Sequence, residues 1–183
     1  MSSLTEIRWH GRGGQGAVAS AEMLAMAAIA EGKSAQSFPS FGPERRGAPV
    51  MAFTRVGDEF IYLRTGITEP DIVVVLDPTV MGAVDVSSGL KEDGLILANT
   101  SKTKEELIEQ FSLKHRLAIV NANLIAREEI GRPITNTTMM GALVKATGLV
   151  ELDSLAKEIE RRFPGIAEKN ISAMRRAYEE TEL

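Results

Sequence analysis

The chain has 183 residues, 44% of them hydrophobic and 25% charged, with a net charge of −4, two histidines and no cysteine. Such a composition builds a real core and fits one domain. The missing cysteines exclude disulfides, a cysteine nucleophile and a cysteine-ligated iron–sulfur cluster. The acidic balance argues against a general nucleic-acid surface, and His10 and His115 alone argue against a histidine zinc site. No apolar run reaches membrane-spanning length; residues 17–30 come closest. The N-terminus lacks a basic segment ahead of an apolar stretch, so a cytoplasmic chain is expected.

In chain order, residues 4–9 alternate weakly and read as a strand, and 16–31 as an alanine-rich helix. Residues 34–48 read as irregular, punctuated by Pro39, Gly42, Pro43 and Gly47. Val50–Arg55 and Glu59–Arg64 flank Val56-Gly57-Asp58 and predict an antiparallel hairpin. Ile72–Leu76, Leu95–Ala98 and Leu117–Val120 are short apolar runs of the kind buried on both faces of a parallel sheet. Helical spacing over 103–111, with Ser101 or Thr103 as cap, separates the last two. Helices are predicted at 122–130, 136–147, 153–162 and 166–180, broken at Gly131-Arg132-Pro133, Gly148 and Pro164-Gly165. The expectation is an α/β fold: a Rossmann-like, mostly parallel sheet with an antiparallel hairpin and a helical C-terminal region. It forms one domain, with the core at about 1–121 and the helical part at about 122–183.

Gly11-Arg12-Gly13-Gly14-Gln15-Gly16 stands between the first strand and the first helix. Glycines there let the backbone turn tightly and approach a ligand, and a helix start offers unpaired N–H groups and a positive dipole end. The blander reading is a tight turn with close helix packing. A dinucleotide site wants an acid about 20 residues on, at the end of the second strand. Ser34-Ala35-Gln36-Ser37-Phe38 supplies none and makes a poor buried strand. Arg45 and Arg46 keep an NADP reading open, while a P-loop is disfavoured because no Lys-Ser/Thr pair follows the glycines. A phosphate-bearing ligand other than NAD fits better.

The second unusual stretch is Ser37–Val50, with Phe38, Phe41, three prolines, and Glu44 beside Arg45 and Arg46. Arginine forks suit carboxylates and phosphates. A stiff loop with aromatics and arginines has the composition of an interface. The plainer alternative is a solvated Glu–Arg turn.

These two motifs, about 25 residues apart, together resemble the gamma subunit of 2-oxoacid:ferredoxin oxidoreductases, the pyruvate type most closely and the ketoisovalerate type next. The Asp71-to-Asp77 strand and Asn136–Ala142 also sit where that family has similar segments. The resemblance implies an enzyme complex that decarboxylates a 2-oxoacid on thiamine diphosphate, passes electrons through iron–sulfur clusters to ferredoxin and delivers the acyl group to coenzyme A. It implies thiamine diphosphate between alpha and beta subunits and clusters on a delta subunit, which agrees with a cysteine-free gamma chain. By similarity, Gly11, Arg12, Gly13, Gly14, Gln15 and Gly16 are the candidates for a coenzyme A contact, and Phe41, Glu44, Arg45 and Arg46 for a partner interface. No catalytic residue and no metal ligand is assigned to this chain.

His10, at a strand end, reads as a structural histidine, and Gln15 as an amide donor to a ligand or neighbouring subunit. The helical methionines read as core or interface fillers, and Arg161, Arg162, Arg175 and Arg176 as a solvated ion-paired face. A free-standing NADP enzyme and a nucleotide-sensing module are the competing classes. The missing acid and the stiff Phe/Arg loop count against both.

Overall fold

In the computed structural model, residues 4–40 and 48–183 are described. The strands are β1 (Leu4–Arg12), β2 (Ser34–Pro39), β3 (Pro49–Gly57), β4 (Ile72–Val75), β5 (Leu95–Asn99) and β6 (Arg116–Val120). The helices are α1 (Ala17–Ala30), α2 (Lys104–Phe111), α3 (Ala122–Glu129), α4 (Thr135–Thr147), α5 (Leu152–Arg162) and α6 (Ala167–Glu180), with a short 3-10 helix at Pro78–Gly82. One sheet runs in the order β2-β3-β1-β4-β5-β6. β1, β4, β5 and β6 are mutually parallel, and β3 is antiparallel to both of its neighbours.

The alternation of β1 is explained by its neighbours. Ile7 and Trp9 align with Ile72 and Val74 on the face covered by the helical layer. Arg8 and His10 align with Val73 and Val75 on the other face, under Val80, Met81, Val86 and α2's Leu107. All four residues of β4 are buried, as a β-branched run in a two-sided sheet must be. Trp9 Nε1 donates to Thr54 Oγ1 (2.9 Å), which in turn donates to the Ala21 carbonyl (3.2 Å), so the buried indole keeps its hydrogen bond. Thr103 closes a capping box with Glu106 at α2, as its position before the apolar run predicts.

Two expectations are corrected. Ser34–Pro39 is a strand, not irregular chain. Its polar residues belong to a half-buried edge strand, held by pairing with β3 and by Phe38 against Phe53 at 5.3 Å. The predicted hairpin across Val56-Gly57-Asp58 is absent, because β1 and β2 take both edges of β3 and leave none for Glu59–Arg64. The antiparallel hairpin of this fold is β2–β3. The later elements fall within a residue or two of their predicted bounds.

Candidate functional site

The glycine loop lies at the carboxyl ends of β1 and β4. There the chain's connections diverge, β1 leading to one edge of the sheet and β4 continuing towards the other. Open α/β sheets bind ligands at such a switch point. Gly11 is still strand, buried and paired with Val50, and Gly14 forms the exposed tip. Gly14 (φ 91°) and Gly16 (φ 82°) have left-handed backbones that glycine adopts without strain. The Gly13 N–H donates to the Ala48 carbonyl (3.0 Å), tying the loop to the start of the β3 segment.

Arg12 and Gln15 bind the loop to the end of β4. Gln15 Oε1 accepts from the Arg12 backbone N–H (2.7 Å), and its Nε2 donates to Asp77 Oδ2 (2.5 Å). Arg12 Nε donates to Thr79 Oγ1 (2.8 Å) and lies 3.9 Å from Asp77. Asp77 Oδ1 accepts from the backbone N–H and hydroxyl of Thr79 at 2.8 and 2.6 Å, capping the 3-10 helix. Partial burial disfavours the Asp77 charge, but the hydrogen bonds from Thr79 and Gln15 and the nearby Arg12 outweigh it and hold its carboxyl below the usual value. One Gln15 amide N–H is thus spent inside the chain rather than on an outside partner.

The loop leads into α1, which has Gly16 as N-cap, no capping side chain and no acid in its first turn. The start of α4 lies against it. A Cβ on Gly16 would fall 2.7 Å from Asn136 Nδ2, and α4 too lacks a side-chain cap. Asn136 is 7% exposed, and its Oδ1 has no hydrogen-bond partner among the described residues. Beside Thr79 opens a cavity of about 550 Å³ lined by Thr79, Thr100, Lys102, Phe111, Asn121 and Arg127, among others. Adjacent helix starts can hold an anionic group, and the neighbouring cavity sets Lys102 and Arg127 in a mostly apolar wall.

The sequence reading missed Asp77, Thr79, Asn136 and this cavity. Asp77-Pro78-Thr79 carries a legible cap signal at the end of a buried run. Nothing local announces Asn136, whose position depends on how α4 packs. Phe41, Glu44, Arg45 and Arg46 lie outside the described residues. The strand order also removes the frame of a dinucleotide site. There the second strand adjoins the first, whereas here β3 stands between them.

His10 lies beneath the site, 2% exposed, and its Nε2 accepts from Arg8 Nε at 3.0 Å. Arg8 is fixed in turn by the Val86 and Ser88 carbonyls. Burial and then the Arg8 charge push the imidazole pKa down from 6.5 to about 4. His10 is therefore a neutral structural acceptor at pH 7, as the sequence reading has it. The unfolded chain takes up a proton here below pH 6.5, but the folded chain does so only near pH 4. Stability contributed at this position is whole above pH 6.5 and is lost as pH falls towards 4. Between pH 7 and 4.5 the wild type should lose about 2.5 kcal/mol more than His10→Gln in urea unfolding. An imidazole that titrates near 6.5 by NMR refutes this.

Among the described residues, no three His, Cys, Asp or Glu side chains cluster to hold a metal, and no helix is long and apolar enough to cross a membrane.

Comparison with known proteins agrees with the architecture. Residues 6–180 match the family model described as pyruvate ferredoxin/flavodoxin oxidoreductase. The pyruvate/ketoisovalerate oxidoreductases common subunit gamma of Pyrococcus furiosus is 54% identical over 98% of each chain. The pyruvate synthase subunit PorC of Methanothermobacter marburgensis is 54% identical over 96% of this chain and 97% of its own. The crystal structure of the pyruvate oxidoreductase subunit PORC of Thermotoga maritima superposes with a TM-score of 0.88 at 44% identity, covering 98% of this chain and 97% of that one. Matched by the family model over residues 6–180 and nearly end to end by such subunits, the chain belongs to the pyruvate ferredoxin/flavodoxin oxidoreductase family.

Proposed function

We propose that this chain is the gamma subunit of a multi-subunit pyruvate:ferredoxin oxidoreductase of the cytoplasm. The complex converts pyruvate and coenzyme A to acetyl-coenzyme A and reduces ferredoxin. Thiamine diphosphate lies between its alpha and beta subunits, and the iron–sulfur clusters are on a delta subunit. The gamma chain, acting as one domain, gives structural support and part of the coenzyme A site. A subunit common to pyruvate and ketoisovalerate enzymes is the second reading, favoured by the name of the Pyrococcus relative. The stretch holding Phe41, Glu44, Arg45 and Arg46 is assigned to an interface with a partner subunit.

The observation that carries the coenzyme A assignment is the uncapped start of α1 behind a glycine loop that Arg12, Gln15 and Asp77 hold in place. Backbone N–H groups and the helix dipole favour a phosphate there, and Lys102 and Arg127 line the adjoining cavity. Gly14→Val tests it. No described residue lies within 4 Å of the added Cβ, and backbone strain at φ 91° costs folding about 1–2 kcal/mol. The side chain would project from the exposed tip of the loop and obstruct an approaching ligand. In the assembled complex, KM for coenzyme A should rise about tenfold or more, with KM for pyruvate little changed. Equal rises in both constants point to general disruption, and no rise in either removes the loop from the coenzyme A site.

A further inference from the structure

Asp77 is an acid beside a loop assigned to a phosphate. It follows the end of β4, where a bare carboxylate would repel an anionic ligand. Its oxygens are instead taken up by groups of this chain. Oδ2 accepts from Gln15 Nε2 (2.5 Å), and Oδ1 accepts from the Thr79 backbone N–H (2.8 Å) and hydroxyl (2.6 Å). Arg12 Nε lies 3.9 Å from Oδ2 and donates to Thr79 Oγ1 at 2.8 Å, so a cation stands beside the charge.

The backbone under Asp77 is fixed by the sheet. Leu76, 1% exposed, donates its N–H to the His10 carbonyl (2.8 Å), and its own carbonyl accepts from Asn99 Nδ2 (2.8 Å). Asn99 is fully buried, and its Oδ1 accepts from the Asn123 N–H (3.3 Å) at the start of α3. The glycine loop is softer. Gly14 and Gly16 are left-handed, Gly14 is exposed, and α1 has no side-chain cap. A glycine-rich segment has many conformations of similar energy, and a bond from a fixed point selects among them. Position therefore passes from Asp77 to the loop through Gln15, whose Oε1 accepts the Arg12 N–H at 2.7 Å. The same carboxylate fixes Thr79, which lines the 550 Å³ cavity with Lys102 and Arg127.

We infer that Asp77 is a positioning residue for coenzyme A: its one carboxylate holds the loop amides and the cavity wall in register, so that both meet the same ligand molecule. The inference rests on the coenzyme A reading above. Its sign is opposite to that of plain electrostatics. Removing a negative charge from beside an anion tightens binding if charge alone decides. Removing the anchor weakens it, because donors that are out of place contribute little.

The test uses the reconstituted complex, with coenzyme A and pyruvate varied in turn. Asp77→Asn keeps the shape and an acceptor for Thr79 but turns an N–H towards Gln15 Nε2. Flipping the Gln15 amide only moves that clash to the Arg12 N–H. KM for coenzyme A should rise about tenfold, with KM for pyruvate little changed. Gln15→Glu alone sets two carboxylates against each other and should be at least as poor. Gln15→Glu/Asp77→Asn restores the bond in reverse, the new amide donating to the new carboxylate. It should recover most of the loss, a rescue that general loosening of the fold does not give. Should Asp77→Asn fail to assemble, Gln15→Met removes the same bond from the loop side and is held to the same rise. An unchanged or lower KM for coenzyme A in Asp77→Asn overturns the inference, and so does a double variant no better than Asp77→Asn. If Gly14→Val also leaves that KM unchanged, the coenzyme A reading falls as well. If Gly14→Val raises it while Asp77→Asn does not, this inference falls alone.

Discussion

Gly141→Ala is expected to destabilise the chain by about 3 kcal/mol or more, an exceptional cost for one methyl group. The added Cβ would lie 1.8 Å from the Met174 carbonyl oxygen, 2.8 Å from its carbon and 3.1 Å from the Tyr178 nitrogen. All three are backbone atoms of α6, so no rotamer change relieves the clash. α4 and α6 must move apart instead. That would open the core around Met139, Met140, Leu143, Ala173 and Ala177, all fully buried. For a chain of this size the melting temperature should fall by roughly 6–12 °C. Gly82→Ala is the control, because its Cβ meets no described residue within 4 Å and its φ is not positive. A Gly141→Ala chain that melts with the control shows that α4 and α6 separate freely, contrary to the packing described.

The second expected result is all or none. The chain alone should show no pyruvate-dependent reduction of a viologen dye above the blank, and activity should arise only when the partner subunits are added. It has no cysteine to hold a cluster, and the sequence holds no acid-bearing motif for a metal diphosphate. At its switch point Asp77 is held ionised by Thr79, Gln15 and Arg12, and His10 is neutral and buried. Turnover by the purified chain overturns the subunit reading. Turnover that appears on adding the other subunits, and is lost when this chain is left out, supports it.

Gly141 shows how a residue can be visible in sequence while its reason is not. Asn136–Ala142 is legible as a helix with a family-like segment, but which helix its glycine faces is a matter of packing. The parallel strands were legible for a local reason: β4 to β6 are short apolar runs that only a sheet covered on both faces can bury. The helical ends were legible because caps and breakers act within a few residues, as Thr103 with Glu106 and Gly148 (φ 62°) do. The two failures share a cause. Ser34–Pro39 has little strand character of its own and is a strand because β3 offers it an edge. Glu59–Arg64 has more but finds both edges of β3 occupied. Strand pairing is a competition among distant segments, and a single segment does not reveal its outcome.

The site divides along the same line. The sequence by itself determined the glycine loop, its place between strand and helix and the absence of cysteine, because each rests on residue type and short spacing, and the two motifs together carried the family resemblance. Only the tertiary structure decided what Arg12 and Gln15 do, since their partners Asp77 and Thr79 lie more than 60 residues away and reach them only through the parallel pairing of β1 with β4. It also decided that Asn136 abuts Gly16 and that Arg55 is buried and ion-paired with Glu6. Hydrogen-bond satisfaction and burial depend on the enclosing shell, and that shell is assembled from segments far apart in the chain.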